Sequence, residues 1–246
     1  MQVSVMGPAI VDVLASPVSR DVFERGTYPL KSIRLSYGGN ALNESVVLGR
    51  FGVETELISK VGADESGRHI IEYADRFGVS VTHIARDSNL DTGINVVLVD
   101  DRGERFFLTD PNSSLRKLSI DDLLPYVDGL ANIVCFPCMF TSSLLGISEM
   151  TKLFKTIKAD GDRMLILDMT TAKNNETIGD MKELFSYVDI FMPNEKELKS
   201  ISGGIGTDEA AKKLLSYGVK NIIVKCGSSD TRVYSAEKDF SVPTYE

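Results

Sequence analysis

A chain of 246 residues, 43% hydrophobic and 25% charged, holds enough apolar residue to build one large α/β domain or two small ones. Its net charge of -8, with no run of Lys and Arg to track phosphates, argues against nucleic acid as a partner. No apolar stretch approaches the roughly 20 residues that span a bilayer, and Met1–Gly7 reads as a strand and not as a signal peptide, so a cytoplasmic location is expected.

In chain order, short runs rich in Val and Ile alternate with longer segments of helical period. Strands are predicted over Val3–Met6, Thr55–Val61, Asn132–Phe136, Met164–Asp168, Val188–Met192 and Asn221–Lys225. Helices are predicted over Ala41–Phe51, Glu65–Phe77, Ser142–Lys158, Ile178–Phe185 and Asp208–Tyr217. In the second helix Ile70, Ile71, Ala74 and Phe77 form a stripe to be buried. Ser119 is placed to cap a further helix, with Asp121 and Asp122 in its first turn. Gly78, Gly161 and Gly218 stand where a left-handed residue closes a helix. Such alternation predicts a mostly parallel sheet covered on both faces, with ligands beyond the carboxyl ends of its strands.

Two segments break the alternation. Val11–Tyr37 has strand-like runs and no helical period. Gly93–Asp110 reads as a hairpin, Ile94–Val99 and Glu104–Leu108, turned by Asp100-Asp101-Arg102-Gly103. They are expected to pair with each other as a small antiparallel sheet. Three cysteines, an odd and small number, fit a reducing cytosol. The pair in Cys135-Phe136-Pro137-Cys138 lacks the helix start of a redox motif, and only His69 and His83 are at hand to complete a zinc site. Two small buried residues at a strand end are the expectation.

The most informative stretch is Tyr37-Gly38-Gly39-Asn40-Ala41-Leu42-Asn43-Glu44-Ser45. A strand end, a glycine pair and a helix start let backbone amides approach a ligand. Asn43 adds a donor and an acceptor suited to a sugar hydroxyl. With Ala41, Ser45, Gly52 and Gly62, the spacing resembles the first signature of the pfkB-family (ribokinase-like) carbohydrate kinases. Asp12 resembles that family's sugar-binding aspartate. Val61-Gly62-Ala63-Asp64-Glu65-Ser66-Gly67 is similar to its V-G-x-D-x-x-G, in which Asp64 and Gly67 are expected to serve the turn and helix packing. Asp91-Thr92-Gly93 with Gly103-Glu104-Arg105 resembles its lid. Pro193-Asn194-Glu195-Lys196-Glu197 resembles its N-x-x-E, and Lys225-Cys226-Gly227 its late strand end. Asp168-Met169-Thr170 stands where many members carry D-x-N-x-R, but Thr170 and Ala172 depart from the pattern and leave Lys173 as the nearby cation.

The resemblance implies a three-layer α/β/α ribokinase-like core with a mostly parallel sheet and a small β-sheet lid. Residues 1–246 would form one domain, incomplete at its C-terminus, with lid segments 11–37 and 93–110. It implies transfer of the ATP γ-phosphoryl group to a sugar hydroxyl with Mg²⁺. The sugar would lie on Asp12, Gly38, Gly39, Asn40 and Asn43. The nucleotide would lie near Asn194, Glu197, Lys225 and Gly227, with Glu197 acting on Mg²⁺ through water. The family's D-T-x-G-A-G-D, which carries the general base, is absent, and the base is expected after Glu246. A nucleoside kinase of the same fold and a non-catalytic sugar- or nucleotide-binding homologue are the alternatives. Ile33, Leu35, Val97, Val99 and Phe107 make the lid apolar, and a homodimer through it is expected.

Overall fold

The computed structural model describes residues 2–159 and 161–244. Six strands run parallel through the core: β1 (Gln2–Met6), β4 (Glu54–Gly62), β9 (Ile133–Met139), β10 (Met164–Met169), β11 (Ile190–Phe191) and β12 (Asn221–Val224). These are the six predicted strands. Four others join the same sheet. β5 (Val79–Ser80) and β6 (Ile84–Asp87) pair parallel with β4, while β13 (Thr231–Ser235) and β14 (Phe240–Val242) continue antiparallel beyond β12. The strand order is β14-β13-β12-β11-β10-β9-β1-β4-β5.

Side-chain alternation divides the core between the two sheet faces. Val5, Leu57 and Cys135 pack with α1 (Asn40–Arg50) and α2 (Glu65–Arg76). Met6, Ile58, Val134 and Phe136 pack in a second cluster with α4 (Ile147–Ile157), α5 (Lys182–Phe185), α6 (Glu195–Ile201) and α7 (Thr207–Ser216). In α4 the buried face is Met150, Leu153, Phe154 and Ile157, and Phe154 meets Phe136 edge-on at 5.6 Å. Each such side chain contributes roughly 1.5–3 kcal/mol by leaving water.

Helix ends show where local chemistry overrode periodicity. The helix predicted from Ser142 begins only at Ile147. Ser142 Oγ instead donates to the carbonyls of Arg116 and Leu118, at 3.0 and 2.6 Å, and holds the chain as a loop. The helix predicted from Ile178 is reduced to α5, because Asp180 accepts from the N–H and hydroxyl of Thr177 in a tight turn. Ser119 opens only a single 3₁₀ turn, Ile120–Asp122. A short helix that periodicity misses, α3 (Ser114–Lys117), precedes it. Asp64 caps α2 by accepting from Gly67 N at 2.8 Å, and Gly78, Gly161 and Gly218 all take positive φ.

The remaining strands form a separate four-stranded sheet in the order β3-β2-β7-β8: β2 (Ile10–Ser16), β3 (Ser32–Gly38), β7 (Ile94–Val99) and β8 (Arg105–Thr109). The two lid segments do pair, but not as an antiparallel sheet. β2 and β7 lie parallel in the centre, and each carries an antiparallel partner outside it. The register also corrects the expected apolar face. Leu35 lies opposite Val13, which lies beside Val96, whereas Val97 lies between Leu14 and Phe107. Ile33 and Leu35 therefore share one face, and Val97, Val99 and Phe107 the other.

Candidate active site

The lid joins the core through Gly38 and Gly39. Gly39 has φ +93°, and a β-carbon there would lie 2.5 Å from the Pro8 carbonyl oxygen. Only glycine lets the chain leave β3 and enter α1 so close to the loop after β1. Gly38 is closed to a side chain for a different reason. A β-carbon would lie 2.2 Å from Asp12 Oδ2, so the aspartate occupies the space that Gly38 leaves.

Asp12 is half-buried on the lid. Burial pushes its carboxyl above the usual range, and Asn95 Nδ2, donating at 3.2 Å, partly offsets this. Register aligns four polar residues across the lid, Ser36, Asp12, Asn95 and Thr109. The Oδ1 atom of Asn95 is enclosed and accepts no hydrogen bond. Periodicity in one strand does not disclose this row, because the cross-strand register is a property of the assembled sheet.

On α1, Asn40, Asn43 and Glu44 fall at positions i, i+3 and i+4 and share a face. Asn40 Nδ2 donates to the Pro137 carbonyl at 2.7 Å, which ties that face to β9. Asn43 is exposed in the first turn. Glu44 looks onto the ends of β9 and β10. Burial pushes its carboxyl up and the charge of Asp168 adds to this, while the Cys135 thiol and Lys225 oppose it. Glu44 is a residue the sequence reading passed over, although its place four residues after Asn40 in the glycine motif is the signal that marks it.

Asp168, at the end of β10, forms an ion pair with Lys225 at the end of β12. It also accepts from Met169 N at 2.8 Å. Burial nevertheless raises its pKa against both partners. Asn194 caps α6: its Oδ1 accepts from Glu197 N at 2.9 Å, and Glu197 Oε2 accepts from Asn194 N at 2.7 Å. Asn194 bridges to Lys225 across the sheet. Burial raises Glu197 most, the Asn194 N–H opposes it, and Asp168 and Lys225 act on it in opposite senses. Glu44, Asp168 and Glu197 thus share the field of one lysine at the carboxyl ends of the parallel strands. Among the described residues no three of His, Cys, Asp and Glu come together as a direct metal site; the neighbouring carboxylates of Asp168 and Glu197 are hard oxygen donors that suit a Mg²⁺ ion keeping most of its waters. Gly227, with φ +63°, turns the chain just after Lys225.

The structure brings Asp168, Asn194, Glu197 and Lys225 together, and it brings Asp12 to Gly38. Asn40 is drawn to Pro137. Cys135 and Cys138 are buried in β9, and burial raises both thiols far above their ordinary range, so they stay protonated and pack as small apolar groups.

A family model described as pfkB family carbohydrate kinase matches residues 2–246. An uncharacterised sugar kinase of Archaeoglobus fulgidus is 28% identical over 201 residues, which is 79% of this chain and 75% of that protein. The chain spans a smaller share of several other curated relatives, down to 44%. A candidate ribokinase II from E. coli, solved in complex with ATP and Mg²⁺, superposes with a TM-score of 0.81 at 24% identity, covering 100% of this chain and 79% of that one. Arabidopsis thaliana ribokinase, complexed with ribose and ATP, gives 0.76 at 23% identity, covering 98% and 77%. At these identities the solved structures establish the shared fold. Among the described residues no helix is long and apolar enough to cross a membrane.

Proposed function

Because the chain belongs to the pfkB family of carbohydrate kinases, we propose that it takes part in transfer of the ATP γ-phosphoryl group to a sugar hydroxyl. The observation that carries this reading is the convergence of three elements beyond the carboxyl ends of one parallel sheet. These are the glycine-opened start of α1, the Asp12 row of the lid, and the carboxylates around Lys225.

The sugar lies between the lid and α1. Asp12 accepts from its hydroxyls, the free amides at the α1 N-terminus donate to them, and Asn43 adds a donor and an acceptor. Asn40, Gly38 and Gly39 shape that wall. At the strand ends Asn194, Glu197, Lys225 and Gly227 border the nucleotide, with Lys225 offering positive charge to its phosphates. Glu197, with Asp168 beside it, would act on Mg²⁺ through its waters, and Mg²⁺ when bound would supply charge neutralisation for the transferring phosphoryl group. The protein's own contribution is positioning and exclusion of water under the lid. An enzyme using ATP in this way fits a cytoplasmic location.

The lid also supports a homodimer. Ile33, Leu35, Phe106 and Leu108 are each more than half exposed on its outer face. A sheet four strands wide leaves that face uncovered unless another surface meets it.

The test is ADP release by the full-length protein against a panel of sugars and nucleosides, with and without Mg²⁺. Mg²⁺-dependent turnover of a sugar supports the reading. Turnover of nucleosides alone, or none with any acceptor while ATP and sugars still bind, overturns it in favour of a nucleoside kinase or a binding protein respectively.

A further inference from the structure

At the far end of the polar row across the lid lies a pocket of about 450 Å³, lined by Thr109, Arg116, Phe140, Thr141, Lys173 and Asn174 among others. It opens beside the loops that follow β9 and β10. Thr109 is the last member of the row that begins at Ser36 and passes through Asp12 and Asn95, so the row runs from Asp12 to the pocket wall.

Two cations meet there. Arg116 is half-buried, and its Nη1 donates to the Thr141 carbonyl at 2.6 Å. Its backbone is clamped by Ser142 and Ser143, whose hydroxyls donate to the Arg116 carbonyl at 3.0 and 3.1 Å. Lys173 stands close enough to feel the charge of Arg116. Desolvation holds both below their ordinary ranges. Neither forms an ion pair with a carboxylate among the described residues. Glu176 is also in the pocket, but its oxygens are taken by Lys173 N, Asn174 N and Asn174 Nδ2 at 3.1, 2.8 and 3.0 Å. Those bonds keep Glu176 ionised and its charge acts on Lys173, so the pocket sets two cations against one carboxylate and stays net positive in a protein whose overall charge is -8. Phe140, in its wall, takes φ +69°, a left-handed conformation that non-glycine residues rarely adopt.

We infer that this pocket binds an oxyanion carried by the substrate, so that the sugar is an acidic one, bearing a carboxylate or a phosphate at the end remote from Asp12. The inference rests on the sugar-kinase reading and deepens it. Two like charges brought together in partly desolvated protein repel. An anion between them relieves that repulsion and accepts from the arginine's planar fork and the lysine. The Thr141 hydroxyl is at hand for its remaining oxygens.

The test uses calorimetric binding to the full-length protein without nucleotide, with gluconate, ribose 5-phosphate and ribose as probes. At least one acidic probe is expected to bind tighter than ribose by about tenfold or more, as hydrogen bonds between charged groups imply. The preference should shrink as ionic strength rises. Arg116→Gln with Lys173→Gln should bring the ratio of acidic to neutral affinity close to one. Lys173→Gln alone, at an exposed position, should lower the ratio without changing thermal unfolding, which guards against a misfolded double variant. Equal affinity for acidic and neutral probes, or a preference that survives both substitutions, overturns the inference. So does a loss of ATP affinity in the variants with the probe ratio unchanged, which would assign the cations to the nucleotide. Failure of the kinase reading is separate: an acidic probe would then bind in this pattern and yet never be phosphorylated.

Discussion

Gly38 and Asp12 compete for one volume, since a β-carbon on Gly38 would lie 2.2 Å from Asp12 Oδ2. Gly38→Ala should therefore displace the Asp12 carboxylate rather than unfold the chain, because Asp12 lies at a half-exposed surface of the lid. If Asp12 accepts from a sugar hydroxyl, the variant loses about 1–3 kcal/mol of sugar affinity and leaves ATP affinity unchanged. Calorimetry with the sugar found in the turnover panel checks this, and Asp12→Ala should reproduce the loss.

Glu44 makes a pH prediction whose sign is set by its surroundings. Burial, helped by Asp168, raises its pKa in the folded protein. The folded state then holds the proton that the unfolded chain releases. Its contribution to stability falls as pH rises from the ordinary carboxylate range through the raised value. Glu44→Gln keeps the shape and removes the charge. The variant should gain stability relative to the parent between mildly acidic and neutral pH, read as the urea midpoint at the two ends of that range. An unchanged difference across the range would show that Glu44 is ordinarily solvated.

Asp189 makes the opposite case. It is 5% exposed, and its oxygens accept from Lys158 at 2.8 Å, Lys220 at 2.7 Å and Leu165 N at 2.7 Å. Burial alone would raise its pKa, but these partners outweigh burial and hold it below the usual range. Its stabilisation is present above the unfolded pKa and is lost as pH falls through the folded value. Asp189→Ala leaves the half-buried Lys158 without a counter-charge, held only by the Arg163 carbonyl, and the Leu165 amide unpaired. A loss of about 3 kcal/mol is expected, a fall in Tm on the order of 10 °C. Sugar and nucleotide binding should not change at temperatures where the variant is folded.

The lid face makes an oligomer prediction. Leu35→Asp and Phe106→Asp lie on the face that carries Ile33 and Leu108, and each should dissociate the proposed dimer in sedimentation at micromolar concentration. Phe107→Asp lies on the opposite face and should leave the dimer intact. A monomeric parent, or a dimer indifferent to Leu35→Asp and Phe106→Asp, would place the contact elsewhere.

The parallel core was legible in the sequence, because each of its six strands is a short apolar run whose preference is local. So was the glycine pair at the lid junction, because a positive φ and a close backbone approach call for glycine at Gly39, and the Asp12 carboxylate fills the space a side chain would need at Gly38. Helix starts were less legible. Ser142 and Thr177 spend their hydroxyls on loops and turns, and that choice depends on the distant carbonyls of Arg116 and Leu118 in one case and on the nearby Asp180 in the other. The lid's register was not legible at all. Whether Val97 shares a face with Leu35 or with Phe107 depends on which strand lies beside which, and a shift of one residue would exchange the faces. For the same reason Asp12, Asn95 and Thr109 come from three strands to make one row. Glu44, Asp168, Glu197 and Lys225 come from four elements to share one field, and Arg116 meets Lys173 across 57 residues of chain. Residue types and local spacing are written in the chain, but the charge each side chain feels is set by neighbours that only the folded sheet brings near.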